Sequence, residues 1–132
     1  MSSGGVVDEP VVLVDARNVM RSRWPNIRED RFVELVREWA EQEGLRIVAV
    51  FDGRAPEGTG VHELDARTSV VGTGPESADD WIAEQARELA RDGHRLWLVS
   101  SDRELRQRVA GDVENVVGGG SFAGRLEAVA RE

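Results

Sequence analysis

The sequence predicts a single doubly wound α/β domain, with a mostly parallel sheet and helices on both faces. Three observations carry that expectation. Short, β-branched apolar runs recur along the chain, as strands buried on both faces would. Amphipathic helical stretches alternate with them, which is the pattern of successive βαβ crossovers. The chain has 132 residues, 40% hydrophobic and 32% charged, enough for one folded domain and not the composition of a disordered chain.

The elements follow in order. Residues 1–9 open with a Ser/Gly-rich stretch and are expected to be a flexible lead-in to a domain over 10–132. They have neither the basic start nor the apolar core of a signal peptide. Val11-Val12-Leu13-Val14 reads as a first strand, and residues 16–28 as a loop. Over 29–43, Phe32, Leu35, Val36, Trp39 and Ala40 form one helical stripe that Gly44 ends. Arg46–Phe51 is a second buried strand, followed by a glycine-rich stretch from Gly53 to Gly60 and a weaker strand over Ser69–Gly72. Residues 78–92 form an amphipathic helix closed by Gly93. Leu96–Val99 is a strand, 102–110 a helix, Val113–Val117 a last strand and 121–131 a last helix.

Composition removes several classes of chemistry. With no Cys, disulfides, thiol catalysis and cysteine-ligated metals are excluded, and a cytoplasmic home is expected. No apolar run is long enough to span a membrane. All 17 basic residues are Arg. A Walker-type phosphate loop needs Lys, and receiver domains and haloacid-dehalogenase phosphatases normally use one. The two histidines, His62 and His94, lie far apart, and no G-x-S-x-G elbow supports a serine hydrolase. A net charge of −8 argues against coating nucleic acid by bulk electrostatics.

What remains abundant is Asp, and its placement is informative. Ligands in open α/β sheets bind beyond the carboxyl ends of the strands. Asp15 and Asp52 end the first two strands, Asp79 opens the helix after the weaker strand, and Asp102 follows Leu96–Val99 closely. An Asp at such a place is often a turn former or helix cap, and Ser101-Asp102-Arg103-Glu104 has the capping-box pattern. Four at one sheet edge is another matter, because like charges this close are costly unless a cation neutralises them, and hard divalent ions take oxygen ligands. Asp79 shares a helical face with Ile82, Ala83, Ala86 and Ala90, whereas Asp80 lies on the solvent side, three residues after Ser77. Asp79 is thus the candidate ligand and Asp80 the capping residue.

Residues 16–28 hold Arg17, Arg21, Arg23 and Arg28 with no acid, and Trp24-Pro25 in their midst. Beside a metal centre, such a loop suits a single-stranded nucleic acid, with phosphates on Arg and a base on Trp24. The plain alternative is a solvated loop that Trp24 anchors to the core. Arg54 would extend the patch. Gly118-Gly119-Gly120-Ser121-Phe122-Ala123 fits G-x-G-x-x-A, but no further strand with an acid follows it, so a turn capped by Ser121 is expected instead of a dinucleotide site.

In their order, VDARN (Asp15, Asn18) leading to Trp24-Pro25, then FDG (Asp52), ESADDWI (Asp79) and SSD (Asp102), resemble the NYN branch of the PIN-like nucleases, most closely the YacP-like group. The resemblance covers nearly the whole chain. It implies a compact α/β nuclease fold whose acidic cluster holds Mg²⁺ or Mn²⁺ and cleaves RNA, here expected as an endonuclease. Asp15, Asp52, Asp79 and Asp102 would be metal ligands or their supports, with Asn18 and Ser101 helping to position metal or phosphate. The family commonly shows D-G-Y-N where this chain has Asp15-Ala16-Arg17-Asn18, so a cation replaces an aromatic beside the site.

The expected mechanism is metal-assisted phosphodiester hydrolysis leaving 5′-phosphate and 3′-hydroxyl ends, since the chain has neither a placed His nor a Lys for acid–base work. The RNA would be single-stranded where it is cut, and presentation by a larger RNA–protein assembly stays open. One rival is a PIN-like module that binds RNA or protein without cutting, although it would have no reason to keep four mutually repelling acids. The other is a Mg²⁺-dependent phosphatase or phosphotransfer domain, disfavoured by the lack of Lys and of a D-x-D after the first strand.

Overall fold

Hydrophobic residues on alternating sides of the strands divide the core in two, and that division places every helix. The computed structural model describes residues 9–132; the rest of the expected lead-in lies outside the described residues. The elements are β1 (Val11–Asp15), α1 (Ala16–Arg21), α2 (Glu29–Glu43), β2 (Arg46–Phe51), β3 (Gly60–Glu63), β4 (Thr68–Gly72), α3 (Ala78–Arg91), β5 (Leu96–Val99), α4 (Arg103–Val109), β6 (Asn115–Val117) and α5 (Gly119–Ala130). The sheet order is β3-β4-β2-β1-β5-β6, parallel throughout except for the antiparallel β3–β4 pair at one edge.

Because side chains alternate across a strand, Val12 and Val14 join Ile47, Ala49 and Phe51 under α1, α2 and α5, while Val11 and Leu13 join Val50, Leu96 and Leu98 under α3 and α4. On the first face Trp39 meets Phe122 edge-on, with ring centroids 4.9 Å apart, and so locks α2 to α5. α2 ends as its sequence predicts, with Gly44 in the left-handed conformation. Among the described residues no helix is long and apolar enough to cross a membrane.

Three local expectations are corrected. Residues 16–21 form α1 where a loop was expected, since Ala16, Val19 and Met20 bury one side of a short helix that continues straight from β1. β3 was read as part of a connection. It pairs with β4 through a turn in which Asp65 Oδ1 accepts from the amides of Arg67 and Thr68. α5 starts earlier than expected, with Gly118 as its N-cap residue and not Ser121.

The connection between β2 and β3 folds back over the end of β4. A Cβ on Gly72 would lie 2.3 Å from the Gly58 carbonyl oxygen and 2.7 Å from the Ala55 amide, so only glycine fits. Gly72→Ala should therefore destabilise the fold by about 1–3 kcal/mol or more, read as a fall in the urea midpoint with an unchanged slope. The Thr68 hydroxyl is buried without a hydrogen-bond partner among the described residues. Thr68→Val, which keeps the shape and removes that polar atom, should leave the midpoint unchanged or raise it.

Candidate active site

The strand register decides where the carboxylates stand. Asp15 is in phase with Val11 and Leu13, and Asp52 with Val50, so both belong to the face covered by α3 and α4. Asp79 lies in the first turn of α3 and Asp102 is the N-cap residue of α4. The connection after β1 leads toward β2 and the one after β5 leads away toward β6, so the gap between β1 and β5 is the switch point where an open sheet binds its ligands. A cleft of about 240 Å³ opens there, lined by all four predicted acids with Asn18, Arg17, Arg21 and Ser77.

Each acid is held by a neighbour. Ser100 Oγ donates to Asp15 Oδ2 at 3.0 Å and accepts the Asp102 amide at 3.1 Å. Since that hydroxyl takes a backbone N–H, its own proton goes to Asp15. Asp52 Oδ1 accepts from the Ala78 amide at 2.7 Å, and Asp102 Oδ1 accepts from the Leu105 amide at 2.9 Å, each at the start of a helix. Asp80, expected as the capping residue, takes part in the cap of α3 only through its amide, because Ser77 is the N-cap residue. Asp80 donates its amide to Ser77 Oγ and pairs its carboxylate with Arg108 at 2.9 Å, outward from the cleft.

Electrostatics mark the same cluster. Burial is the main force that raises the Asp15 carboxyl to about 6, with Asp79, Asp52 and Asp102 pushing in the same direction and the Ser100 bond opposing them. Asp79 is also raised, first by burial and then by Asp102 and Asp52, against the nearby Arg108.

The residues expected beside the acids divide into structural and available groups. Asn18 Oδ1 accepts from the Ser101 amide at 2.9 Å, and Ser101 Oγ accepts from the Gly119 amide at 2.8 Å, so this pair ties α1, the β5–α4 connection and the start of α5 together. A Cβ on Gly119 would come within 2.3 Å of Asn18 Oδ1, which explains the middle glycine of the G-x-G-x-x-A run. Arg23 grips Glu127 (Nε to Oε2 2.8 Å) and the Gly120 carbonyl, which occupies its guanidinium. Arg17 donates to the Asp52 carbonyl at 3.2 Å and lies 3.7 Å from Glu29. Arg21 lines the cleft without a partner among the described residues, Arg54 is exposed outside the lining, and Trp24 stands 93% exposed. Ser100 is the residue that the sequence reading missed; its signal was a small hydroxyl side chain two places before Asp102.

The donor set suits a hard divalent ion: it consists of carboxylates, and each retains at least one oxygen without a protein partner among the described residues. Among the described residues no group of three or more acidic or imidazole side chains is gathered closely enough to hold a metal ion.

A six-stranded α/β sheet with an acidic cleft at its switch point has the architecture of a PIN-like NYN domain. The YacP-like NYN domain profile matches residues 12–132, and the chain belongs to that family. No curated protein matches the sequence. The fold is similar to crystal structures of Rae1 (YacP) from Bacillus subtilis and its W164L mutant, each with a TM-score of 0.71, 20% identity and coverage of 92% of this chain. The superposition covers 75% of the first of those chains and 77% of the mutant.

The raised Asp15 carboxyl links stability to pH. Between about 3.8 and 6 the folded protein holds a proton that the unfolded chain has lost, so stability falls as pH rises through this window. Above pH 6 the cost is complete, on the order of 3 kcal/mol. Asp15→Asn, which can still accept from Ser100, should make the metal-free protein more stable than wild type at pH 7–8. That gain should vanish toward pH 3.8 in paired urea titrations, and a gain independent of pH would contradict the assignment.

Proposed function

We propose that this protein is a metal-dependent ribonuclease, an endonuclease that hydrolyses RNA phosphodiester bonds in the cytoplasm. The activity is assigned to the domain expected over residues 10–132. One observation carries the reading: four carboxylates from four separate elements meet in one cleft, where burial first and then the other three acids raise the Asp15 carboxyl. A fold maintains such repulsion at a cost in stability, and a bound cation removes that cost.

Asp15, Asp52, Asp79 and Asp102 would hold Mg²⁺ or Mn²⁺, which when bound supplies an activated water and neutralises charge on the phosphate. The chain's own residues orient and bind. Ser100 fixes the carboxylate of Asp15 by occupying Oδ2. Arg17 and Arg21, on α1, supply the positive charge in the cleft that a phosphate needs, with Arg21 the freer of the two. Asn18 and Ser101 act by keeping the surrounding loops in register. Support from kinship comes from the family, whose PIN-like relatives are nucleases, and from the fold shared with Rae1.

Labelled single-stranded RNA should be cut in Mn²⁺ or Mg²⁺ and left intact in EDTA, with 5′-phosphate and 3′-hydroxyl ends. Asp79→Asn and Asp15→Asn, purified in parallel to expose contaminating ribonuclease, should each lose roughly 100-fold or more of the rate. Ends bearing 2′,3′-cyclic phosphate would overturn the mechanism. In a second measurement, millimolar Mn²⁺ should raise the melting temperature of wild type well beyond its effect on Asp79→Asn; equal shifts would remove the metal from the cleft.

A further inference from the structure

The sequence offered Trp24 two roles, an anchor for its loop or a face for a ligand. The structure gives the anchoring to other residues. On one side of Trp24, Arg23 is fastened to Glu127 and to the Gly120 carbonyl, and the Ser22 hydroxyl donates to the Val19 carbonyl at 2.6 Å. On the other side, the Ile27 amide donates to the Met20 carbonyl at 3.1 Å, while its side chain packs on the α2 face of the core. Between these fixed points the indole is 93% exposed. The other three tryptophans, Trp39, Trp81 and Trp97, all pack against the core. A large aromatic surface presented to water by a loop fastened at both ends is a ready contact for something else.

The neighbourhood identifies that contact. Arg21, three residues earlier, lines the acidic cleft and has no partner among the described residues. Three residues of chain place the two Cα atoms at most about 10 Å apart, a separation comparable to one or two nucleotides of an extended strand. A free guanidinium followed by a free indole matches the alternation of phosphate and base along a single strand. In a duplex the base faces are already stacked and give the indole nothing to cover. We infer that Trp24 stacks on an unpaired base beside the phosphate held by Arg21, making the cleft selective for single-stranded RNA over duplex. This rests on the ribonuclease reading and names the substrate feature that the same site recognises.

Binding in EDTA separates this inference from catalysis. The probes are a fluorescein-labelled oligouridylate and a blunt two-stranded RNA duplex with the same label, followed by anisotropy at low ionic strength with wild type, Trp24→Ala and Trp24→Phe. Wild type should prefer the oligouridylate. Trp24→Ala should weaken that complex by roughly 5- to 100-fold and leave the duplex complex unchanged, and Trp24→Phe should restore most of the loss. Unchanged melting temperatures are expected, because the indole supports nothing in the fold. Equal losses for both RNAs, no loss, or no binding of the oligouridylate by wild type would each overturn the inference. So would a dimer in sedimentation velocity that Trp24→Ala converts to monomer, since the indole would then serve contact between copies. If stacking is found but wild type cuts no RNA in Mn²⁺, the ribonuclease reading fails while the binding assignment survives.

Discussion

A carboxylate buried at the end of β1 among three other acids is the constraint on which the site depends. Asp15 closes the central strand and is buried, yet the other three acids of the cleft surround it. An arrangement of that kind drifts apart unless its backbone is held, and the holding is done by hydrogen bonds that start on the adjacent strand. Ser100 links Asp15 to the amide of Asp102, and Asn18, Ser101 and Gly119 close a second set of bonds across the β1, β5 and β6 connections. The connections at the switch point are thereby fastened to one another by side-chain hydrogen bonds, which holds the carboxylates in place.

Glycine follows from the same constraint. Gly119 is needed because Asn18 presses on α5 where it begins, and Gly72 because the β2–β3 connection lies against the end of β4. Both stand at the sheet edge where the acids gather, so the close approach of loops that builds the cleft removes side chains from the positions crowded by it. Without the neighbouring loop, neither position requires glycine, since neither has the positive φ that would demand it.

Elements whose signal is burial were legible in the sequence. α2, β2 and β5 occupy the predicted residues, because a strand covered on both faces or a helix with one apolar stripe writes its period directly into the chain. β3 was not legible. It is an edge strand with Val61 exposed, and its pairing is set by the turn at Asp65 and not by any apolar run. α1 escaped for a related reason, since Arg17, Arg21 and Asn18 on its open side drew attention from Ala16, Val19 and Met20 on the other. At the site, the acids were found because strand ends and helix starts are predictable places. The locking of Arg23 by Glu127 was not, because 104 residues separate the pair and only the packing of α5 brings them together.

Helix capping and metal ligation are usually weighed as competing explanations for an acid at the start of a helix. Here the cap engages only one oxygen of each acid. Asp102 caps α4 with Oδ1, and Asp52 holds the first amide of α3 with Oδ1, so each spends one oxygen on the fold and retains the other. The amides also lie at helix N-termini, where the backbone dipole favours negative charge and eases the crowding of acids in the cleft. Capping is therefore the means by which two of the four acids, Asp52 and Asp102, are held in the cluster. A carboxylate fixed through one oxygen presents the other in a set direction, which a freely rotating side chain on a loop cannot do. That gives Asp rather than Asn or Ser a reason to stand at both positions: the amide or hydroxyl would satisfy the helix equally well, but would leave no second anionic oxygen for the cleft.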